Sequence, residues 1–315
     1  MKGHKIPGTG VEVSPLCLGT MTFGTPVGEA EAIKLVHRAL DLGINFMDTA
    51  NMYEGYTRYA GSAGGVGEEI LGKALKGRRD KAIVATKVGM KIGPADDDQG
   101  LSRKHVFREI DRSLARLGCD CVDLYYMHRA DPATALTESV KAFNDLIDAG
   151  KVRHWAISNY SAAQIAELLA VCDENGWRRP VALQPPYSLL KRDIEAEILP
   201  LCEREGIAVF PYQVLQGGLL SDKYQRGAAL PPDSRQSEKP EWTLPLDEGM
   251  FDRLEAIKAE AGAKGRSLLE HALQSLLEHP MVLSLVVGVK SEAQLERLAA
   301  AVDGPPAAID GPGAP

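Results

Sequence analysis

The chain has 315 residues, of which 44% are hydrophobic and 25% are charged, and both fractions are those of an ordinary globular protein. This composition excludes a largely disordered chain, because it supplies enough apolar side chains to build a core. The formal net charge of −7, without any block of basic residues, argues against nucleic acid or an anionic membrane as a partner. A soluble protein is therefore expected.

The five cysteines are odd in number and scattered, and the spacing of Cys119 and Cys121 is not that of a metal site. We expect free thiols in a reducing compartment and no bound metal. The opening residues MKGHKIPGTG contain no apolar stretch of signal-peptide length, and no run in the sequence is long enough to span a membrane. These observations predict a cytoplasmic location.

Short apolar runs alternate with longer amphipathic runs along the whole chain, which predicts alternating strands and helices. The apolar runs end at a glycine, a proline or a charged turn, as is typical of strands buried on both faces. The predicted strands are 16–18, 45–48, 82–87, 122–128, 152–158, 182–184, 208–212 and 282–288. The predicted helices are 29–42, 103–117, 134–149, 162–175, 193–205 and 291–301. Gly43 fits a helix C-terminus, and Ser102 and Ser161 fit helix N-caps.

Eight strands joined by helical crossovers run in one direction, and eight is the number that closes a barrel filled by side chains. The sequence therefore predicts an α/β fold, a (β/α)8 TIM barrel that occupies residues 1–315 as one domain. A doubly wound open sheet is the alternative, because periodicity does not reveal closure. Residues 5–14, with Gly8 and Gly10 at the turn, predict a β-hairpin that caps one end.

Three irregular segments follow predicted strands, namely 54–67, 89–101 and 217–247. They are expected on the C-terminal face of the barrel, where barrel enzymes build their active sites. Residues 303–315 are rich in Gly, Pro and Ala and are expected to form a flexible tail.

Polar residues stand at the C-terminal ends of six consecutive strands, where a buried apolar strand stops. They are Asp48, Lys87, His128, Ser158–Asn159, Gln184 and Tyr212. A single such residue is usually only a turn or cap residue. Because parallel strands deliver their C-terminal ends to one rim, we expect the six positions to converge on one cleft.

The residue types at these positions have a common chemistry. Asp48 and Lys87, on neighbouring strands, would form a partly buried ion pair, and Tyr53 would place its hydroxyl beside the ammonium. An adjacent cation lowers the pKa of a tyrosine from its usual value of about 10, as a general acid and base near neutral pH requires. His128 would orient a substrate carbonyl or assist the proton relay. Each residue taken alone also has a non-catalytic interpretation. Asp48 would be a helix cap, Lys87 a surface lysine, Tyr53 an aromatic residue of a loop and His128 a buried histidine of the core.

The motifs around these residues resemble those of the aldo-keto reductase family over nearly the whole chain. Residues 48–53 (DTANMY) are similar to the motif that carries the catalytic aspartate and tyrosine, and residues 86–87 are similar to the lysine strand. Residues 113–129 (SLARLGCDCVDLYYMHR) resemble the signature that ends in the catalytic histidine. The resemblance implies a catalytic tetrad of Asp48, Tyr53, Lys87 and His128.

The resemblance also implies an extended NADPH bound without a Rossmann domain. No G-x-G-x-x-G opens a helix after a strand, and we interpret the glycine cluster 61–67 as a flexible loop. The segment 150–160 (GKVRHWAISNY) resembles the stretch whose serine and asparagine hold the nicotinamide carboxamide, here Ser158 and Asn159. The matching glutamine is Gln184, and Tyr212 corresponds to the tyrosine that stacks on the nicotinamide ring. The implied cofactor contacts are Ser158, Asn159, Gln184, Tyr212, Gln213, Leu215, Gly218, Gly288, Lys290, Ser291 and Gln294.

Three departures from the family pattern bear on the cofactor and the substrate. Gln213–Val214 replace the usual Ser-Pro, and Arg297–Leu298 replace a Glu-Asn pair that often contacts adenine. Lys290 and Ser291 are still placed to bind the adenosine 2′-phosphate, which favours NADPH over NADH. The loop 54–67 is longer than in typical relatives.

The long loop predicts a substrate wall for a polar, bulky carbonyl such as a sugar, and a lineage-specific surface loop is the alternative. The expected substrate contacts are Tyr56, Tyr59 and Arg129. The predicted activity is NAD(P)H-dependent reduction of an aldehyde or ketone to the alcohol, or the reverse. The alternatives are a cofactor-binding regulatory or sensor subunit, as in the potassium-channel β-subunits of this superfamily, and a redox-neutral epimerase. The sequence does not specify the oligomeric state.

Overall fold

A small antiparallel sheet precedes a large parallel one in the computed structural model, which describes residues 1–303. The antiparallel strands are β1 (His4–Lys5) and β2 (Glu12–Val13). The parallel strands are β3 (Leu16–Gly19), β4 (Phe46–Asp48), β5 (Ile83–Val88), β6 (Val122–Met127), β7 (Val152–Ser158), β8 (Ala182–Gln184), β9 (Ala208–Val209) and β10 (Leu285–Val287). The helices are α1 (Glu29–Asp41), α2 (Val66–Leu75), α3 (Arg103–Leu117), α4 (Leu136–Asp148), α5 (Ala162–Asn175), α6 (Ile198–Glu205), α7 (Arg235–Glu238), α8 (Glu248–Ala263), α9 (Leu268–Leu277) and α10 (Glu292–Asp303).

The parallel sheet closes into a barrel. Each of the strands β3 to β8 pairs with the next one along the chain, and β10 pairs with β3. Three backbone hydrogen bonds bridge the remaining gap between β9 and β10. They run from the Val209 N–H to the Met281 carbonyl at 2.7 Å, from the Leu283 N–H to the Val209 carbonyl at 3.2 Å and from the Val286 N–H to the Pro211 carbonyl at 2.9 Å. The predicted (β/α)8 barrel is thereby confirmed, and the open sheet is excluded.

The barrel interior is filled by side chains, and the N-terminal hairpin closes its lower end. Alternate strand residues point inward and form one buried cluster, which includes Phe46, Leu124, Tyr126 and Phe210. The hairpin residues Ile6 and Val13 belong to the same cluster. The predicted hairpin cap is confirmed: the floor is apolar, and polar side chains meet at the opposite rim.

Local sequence signals explain where the outer helices begin and end. The Ser102 hydroxyl caps α3 by accepting from the His105 N–H, and Ser161 and Gln164 form a capping box at the start of α5. Gly43, with a φ of 79°, follows the end of α1 as expected. These caps fix the lengths of the helices that hold the strands in register.

The structure differs from the sequence prediction at several boundaries. The predicted strand 208–212 is shortened to β9 because Pro211 has no N–H to continue the ladder. The predicted helix 193–205 is a short 3₁₀ turn followed by α6, and the predicted strand 282–288 is shortened to β10. Helices α2, α7, α8 and α9 were not predicted.

The glycine cluster 61–67 is not one loop, because Gly67 lies inside α2. A Cβ atom there would lie 3.1 Å from both Thr49 Oγ1 and Tyr53 Cβ, so a glycine lets the helix approach the segment after β4 closely. At the other end of the chain, Asp303 is still helical, and the rest of the predicted tail 303–315 lies outside the described residues. No helix within residues 1–303 combines the length and the apolar character needed to cross a bilayer.

Candidate active site

Polar residues at the ends of the parallel strands meet at one rim of the barrel. Asp48 ends β4, Lys87 lies near the end of β5, and His128 directly follows β6. Ser158 ends β7 and Gln184 ends β8. The structure thus brings together the strand-end residues that the sequence analysis singled out.

The centre of the site is an ion pair with almost no exposure to solvent. The Lys87 ammonium lies 2.5 Å from Asp48 Oδ2, and the two residues are 0% and 1% exposed. Burial alone would lower the pKa of Lys87, but the Asp48 carboxylate and the Tyr53 hydroxyl together more than offset this effect, and the pKa is raised. Lys87 therefore stays charged. Removing one partner of such a pair typically costs about 3–5 kcal/mol.

The remaining hydrogen bonds of the pair hold both side chains in one orientation. The Lys87 ammonium also donates to the Thr49 carbonyl at 2.9 Å, and Asp48 Oδ1 accepts from the Gln184 amide at 2.8 Å. Below them, the buried Tyr126 ring lies 5.8 Å from the ammonium, within the range of a cation–π contact. The cation is fixed by strand residues on every side.

Tyr53 presents its hydroxyl to this cation, at 3.3 Å from Lys87 Nζ. The expectation that Lys87 lowers the pKa of Tyr53 below its usual value is wrong as a net effect. Burial raises the pKa, Lys87 lowers it by a smaller amount, and Asp48 raises it again. The phenol therefore remains protonated at neutral pH, with a cation beside the oxygen that would stabilise a phenolate during proton transfer.

His128 faces Tyr53 across the cleft. The two rings meet edge to face, with their centroids 6.1 Å apart. Desolvation, followed by the positive charges of Lys87, Arg58 and Arg129, holds the pKa of His128 well below its usual range. The neutral imidazole offers one N–H donor, which suits it to orient a carbonyl oxygen rather than to protonate it.

A second group of polar side chains lies beside the cleft on β7, β8 and the segment after β9. Ser158 Oγ donates to the Gln184 carbonyl at 2.8 Å, and the Tyr212 hydroxyl donates to Asn159 Oδ1 at 2.8 Å. The Asn159 amide donates to the His128 carbonyl at 3.0 Å. Asn159 has a φ of 62°, a conformation that asparagine tolerates better than most residues. This bonded group ties the Tyr212 ring to the segment that carries His128.

A buried carboxylate supports the strand of Lys87 from outside the barrel. Glu68 on α2 is fully buried, and it accepts from the Thr86 hydroxyl at 2.5 Å and from the Arg116 guanidinium at 2.9 Å. Burial raises the pKa of Glu68, and the donors around it oppose that shift. The contacts link α2, β5 and α3 next to Lys87.

A cluster of cations surrounds Tyr56 at another part of the rim, and we name it the cation cluster. Its members are Lys223, Arg235, Lys239 and Lys290, together with the aromatic residues Tyr56 and Trp242. The Arg235 guanidinium lies 4.6 Å from the centroid of the Tyr56 ring, and the Lys290 ammonium lies 5.6 Å from it. Lys290 also forms an ion pair with Glu238.

This arrangement places Tyr56 with the cation cluster and not at an exposed substrate wall. Gly55, with a φ of 73°, turns the chain so that the Tyr56 N–H donates to the Thr25 carbonyl at 2.8 Å. The ring is then only 9% exposed, because it packs against cations and against Trp242. Tyr59, in contrast, is 69% exposed, and Arg129 is also exposed.

The other predicted cofactor residues lie on two loops at the same rim. Gln213 has a φ of 57°, and Leu215 precedes a short 3₁₀ segment that contains Gly218. Gly218 has a φ of 94°, a left-handed conformation that favours glycine. The predicted group near the C-terminus comprises Gly288, Lys290, Ser291 and Gln294. Within it, Gln294 Oε1 accepts from the Lys290 N–H, and Ser291 Oγ accepts from the Gln294 N–H at the start of α10.

Sequence reasoning missed several residues of this rim. Lys223, Arg235 and Lys239 lie in the irregular segment 217–247. This segment follows Tyr212, so its basic residues were an available signal for a cationic part of the rim. Glu68 gave no signal of its own, because only the fold brings it against Thr86.

Comparisons with known proteins agree with this geometry. The Aldo/keto reductase family model matches residues 15–306. A probable voltage-gated potassium channel subunit beta from Arabidopsis thaliana is 34% identical over 303 residues, which cover 94% of this chain and 89% of that protein. L-glyceraldehyde 3-phosphate reductase from Escherichia coli is 31% identical over 300 residues, which cover 91% of this chain and 84% of that protein.

Among solved structures, an aldo-keto reductase from Bacillus halodurans in its holo form superposes with a TM-score of 0.79 at 29% identity. The match covers 97% of this chain and 92% of that one. The family model and the relatives span nearly the whole barrel and include the strand ends that carry the polar rim. The chain belongs to the aldo/keto reductase family and is an oxidoreductase of that family.

Proposed function

We propose that the protein reduces an aldehyde or ketone to the alcohol with NADPH, and that Tyr53 is the general acid of this reaction and the base of its reverse. The observation that carries the proposal is the position of Lys87, whose ammonium contacts both the Asp48 carboxylate and the Tyr53 hydroxyl. A buried cation beside a phenol stabilises the phenolate that proton donation would leave behind.

The donor set of the rim fits a nicotinamide dinucleotide. Ser158, Asn159 and Gln184 offer hydroxyl and amide groups for a carboxamide, and the Tyr212 ring beside them offers a surface for stacking. When bound, NADPH would supply the hydride to the carbonyl carbon. Gly288 leaves open space, since a Cβ atom there would have no neighbour within 4 Å.

The cation cluster supports NADPH as the preferred cofactor. Arg235, Lys239 and Lys290 lie against Tyr56, and the charges of Arg235 and Lys290 act on Lys223. The carboxylates paired with these four cations are Glu238 with Lys290 and Glu241 with Lys239, so positive charge remains in excess. Such an excess of positive charge suits the phosphates of a dinucleotide, and NADH lacks the 2′-phosphate. We propose Gln213, Leu215 and Gly218 as neighbours of the pyrophosphate.

The chain's own groups would carry the proton transfer. The neutral His128 imidazole would donate a hydrogen bond to the carbonyl oxygen and thereby place it near the Tyr53 hydroxyl. Tyr53 would give its proton to that oxygen as negative charge develops on it, and Lys87 would stabilise the phenolate. Asp48 holds the ammonium in place and keeps it charged.

The substitution Tyr53→Phe tests this proposal directly. It removes the proton donor and keeps the ring, so turnover of a reactive aldehyde should fall by about 10²–10⁴-fold. Cofactor affinity, measured by quenching of intrinsic fluorescence, should stay within about twofold, because the hydroxyl is not among the proposed cofactor contacts. Wild-type turnover in this variant would contradict the assigned role.

A regulatory or sensor subunit is the second candidate, because one of the similar proteins is named as a potassium channel subunit. A pure sensor has no need of an acid, so the intact set of Asp48, Tyr53, Lys87 and His128 favours the enzyme. Rapid mixing of the NADPH complex with excess aldehyde distinguishes the two. A reductase oxidises the bound cofactor in a single turnover, and a sensor does not.

We further propose a polar carbonyl substrate, with Tyr59 and Arg129 at the mouth of the cleft. One similar protein is named for reduction of L-glyceraldehyde 3-phosphate.

All five cysteines are unpaired, which fits the proposed cytoplasmic location.

A further inference from the structure

Two arginines stand at the mouth of the cleft on the substrate side, and neither belongs to the cation cluster. Arg58 lies in the loop after β4, and Arg129 directly follows His128. Within residues 1–303 neither guanidinium forms an ion pair. Most other arginines of the described chain have a carboxylate partner, so this pair of charges is available to a ligand.

The chain holds the Arg58 guanidinium in a fixed place. Its Nε donates to the Met52 carbonyl at 3.1 Å, and its Nη2 donates to the Lys91 carbonyl at 2.7 Å. Met52 immediately precedes Tyr53, and Lys91 lies in the loop after the strand of Lys87. Two backbone carbonyls therefore anchor a cation between the loops that follow β4 and β5, beside the proposed acid.

The nearby carboxylates do not neutralise Arg58 by contact. Glu54 is the acid whose charge Arg58 feels, but its Oε2 accepts from the Gly64 N–H at 3.1 Å. Asp98 is paired with Arg108. Asp131 accepts from the Leu101 N–H and from the Thr134 hydroxyl, both at 2.7 Å.

The positive charge reaches the reacting groups. Arg58 and Arg129 both lower the pKa of His128, so their fields act where the substrate carbonyl would bind. Arg58 is partly buried, and desolvation lowers its own pKa as well. A desolvated, unpaired guanidinium is costly for a protein to keep, and an anionic ligand would offset that cost.

We infer that the substrate of this reductase carries an anionic group, a carboxylate or a phosphate, and that Arg58 binds it with help from Arg129. The inference rests on the proposed carbonyl reduction and narrows its substrate class. A guanidinium fork matches the two oxygens of either anion, and Arg58 has its Nη1 end left for this contact. The anion would lie close to Tyr53, because Arg58 is anchored to the carbonyl of the preceding residue, Met52.

Anionic aldehydes, each paired with a neutral analogue, test the inference, and the variants below separate the effect of charge from that of intrinsic reactivity. The probes are 3- and 4-carboxybenzaldehyde with their methyl esters, and 4-formylphenyl phosphate with 4-methoxybenzaldehyde. For the wild type we expect kcat/KM to be about tenfold or more higher for the anionic member of at least one pair. The carboxylate and phosphate pairs show which anion fits.

The variants locate the effect. Arg58→Gln should lower kcat/KM for the anionic probe by about 10–100-fold and change that for its neutral partner by less than about threefold. Arg129→Gln should have a smaller effect of the same kind, because its side chain is exposed. Arg204→Gln is the matched control, since this arginine lies near the C-terminus of α6 and bonds Glu205 on its own helix, and both rates should stay unchanged.

Each other outcome has a defined meaning. Equal rates for charged and neutral probes in the wild type, or an equal loss for both in Arg58→Gln, would overturn the inference and leave the reductase intact. If no aldehyde is reduced, the proposed function fails, and calorimetric binding of terephthalate against its dimethyl ester still tests the anion site. If Arg58→Gln does not fold, Arg58→Lys keeps the charge without the fork and should lose most of the preference for the anion.

Discussion

Two regions of one rim contain lysines, the tetrad of Asp48, Tyr53, Lys87 and His128 and the cation cluster. They differ in whether the positive charge is balanced by carboxylates. In the tetrad a single lysine is buried and balanced by one carboxylate at 2.5 Å. In the cation cluster four cations lie on loops and on α7, and two carboxylates are paired with them, Glu238 with Lys290 and Glu241 with Lys239. The first region is neutral and rigid, and the second is positive and partly exposed.

The difference matches the role that we propose for each region. A group that assists proton transfer must keep a fixed position and charge state, and a buried ion pair on barrel strands provides both. A group that binds a phosphate must have unbalanced charge and access to solvent, and loops after strands provide those. Aromatic rings hold the cations in both regions, through Tyr126 below Lys87 and Tyr56 beside Arg235.

The largest effect is expected from breaking the neutral region. Lys87→Met leaves the Asp48 carboxylate buried without its cation, so the free energy of unfolding should fall by about 3–5 kcal/mol. Urea unfolding followed by circular dichroism measures this loss. Turnover should fall together with stability, because Tyr53 loses the charge that stabilises its phenolate.

The double variant Asp48→Asn, Lys87→Met sharpens this result. Removing both charges leaves no uncompensated ion, so most of the lost stability should return while turnover stays low. A double variant that is as unstable as the single one would show that the shape of the pair, and not its charge balance, holds the strands.

A smaller effect is expected in the positive region, where charge is in excess. Arg235→Gln should weaken NADPH binding by about 10–100-fold through loss of a charge-assisted contact. It should change NADH binding by less than about threefold and leave the stability nearly unchanged. Fluorescence titration with both cofactors measures the difference.

Glu238→Gln provides a control of opposite sign. It releases Lys290 from its ion pair, so NADPH affinity should rise by a few fold while NADH affinity stays the same. Equal changes for the two cofactors in both variants would mean that the cluster does not recognise the 2′-phosphate.

The smallest effect is expected from pH in the tetrad itself. The raised pKa of Tyr53 keeps the acid protonated until above its usual value of about 10, and the lowered pKa of His128 keeps the imidazole neutral above its usual value of about 6.5. The kcat/KM for reduction at saturating cofactor should therefore be flat between these limits. An acid limb near pH 6.5 that disappears in His128→Gln would contradict this assignment.

The sequence predicted the parts of the site that repeat with the strands. Asp48, Lys87, Ser158 and Gln184 stand where apolar strands stop, and parallel strands deliver their ends to one rim, so spacing alone brought them together. The number of alternating strands favoured a barrel, although periodicity did not reveal closure and left an open sheet as the alternative. The hairpin was predicted separately, from Gly8 and Gly10 at a turn.

The sequence could not predict what depends on packing between segments distant in the chain. Tyr56 turns toward Arg235 because Gly55 packs on the Thr25 loop, a contact that no local pattern encodes. The net pKa of Tyr53 depends on how far burial exceeds the effect of Lys87, and burial is visible only in the fold. Helix α9 was missed although its capping box at Ser267 and Glu270 was a readable signal.

Apolar side chains fill the end of the barrel opposite the polar rim. Ile6 and Val13 of the hairpin belong to the same buried cluster as Phe46 and Tyr126, on the inner side of Lys87. If Tyr53 is the acid, as proposed, the proton that it gives up would be replaced from solvent through the open rim, where the reactants also enter and leave. Reprotonation of the acid would then wait for the product to leave.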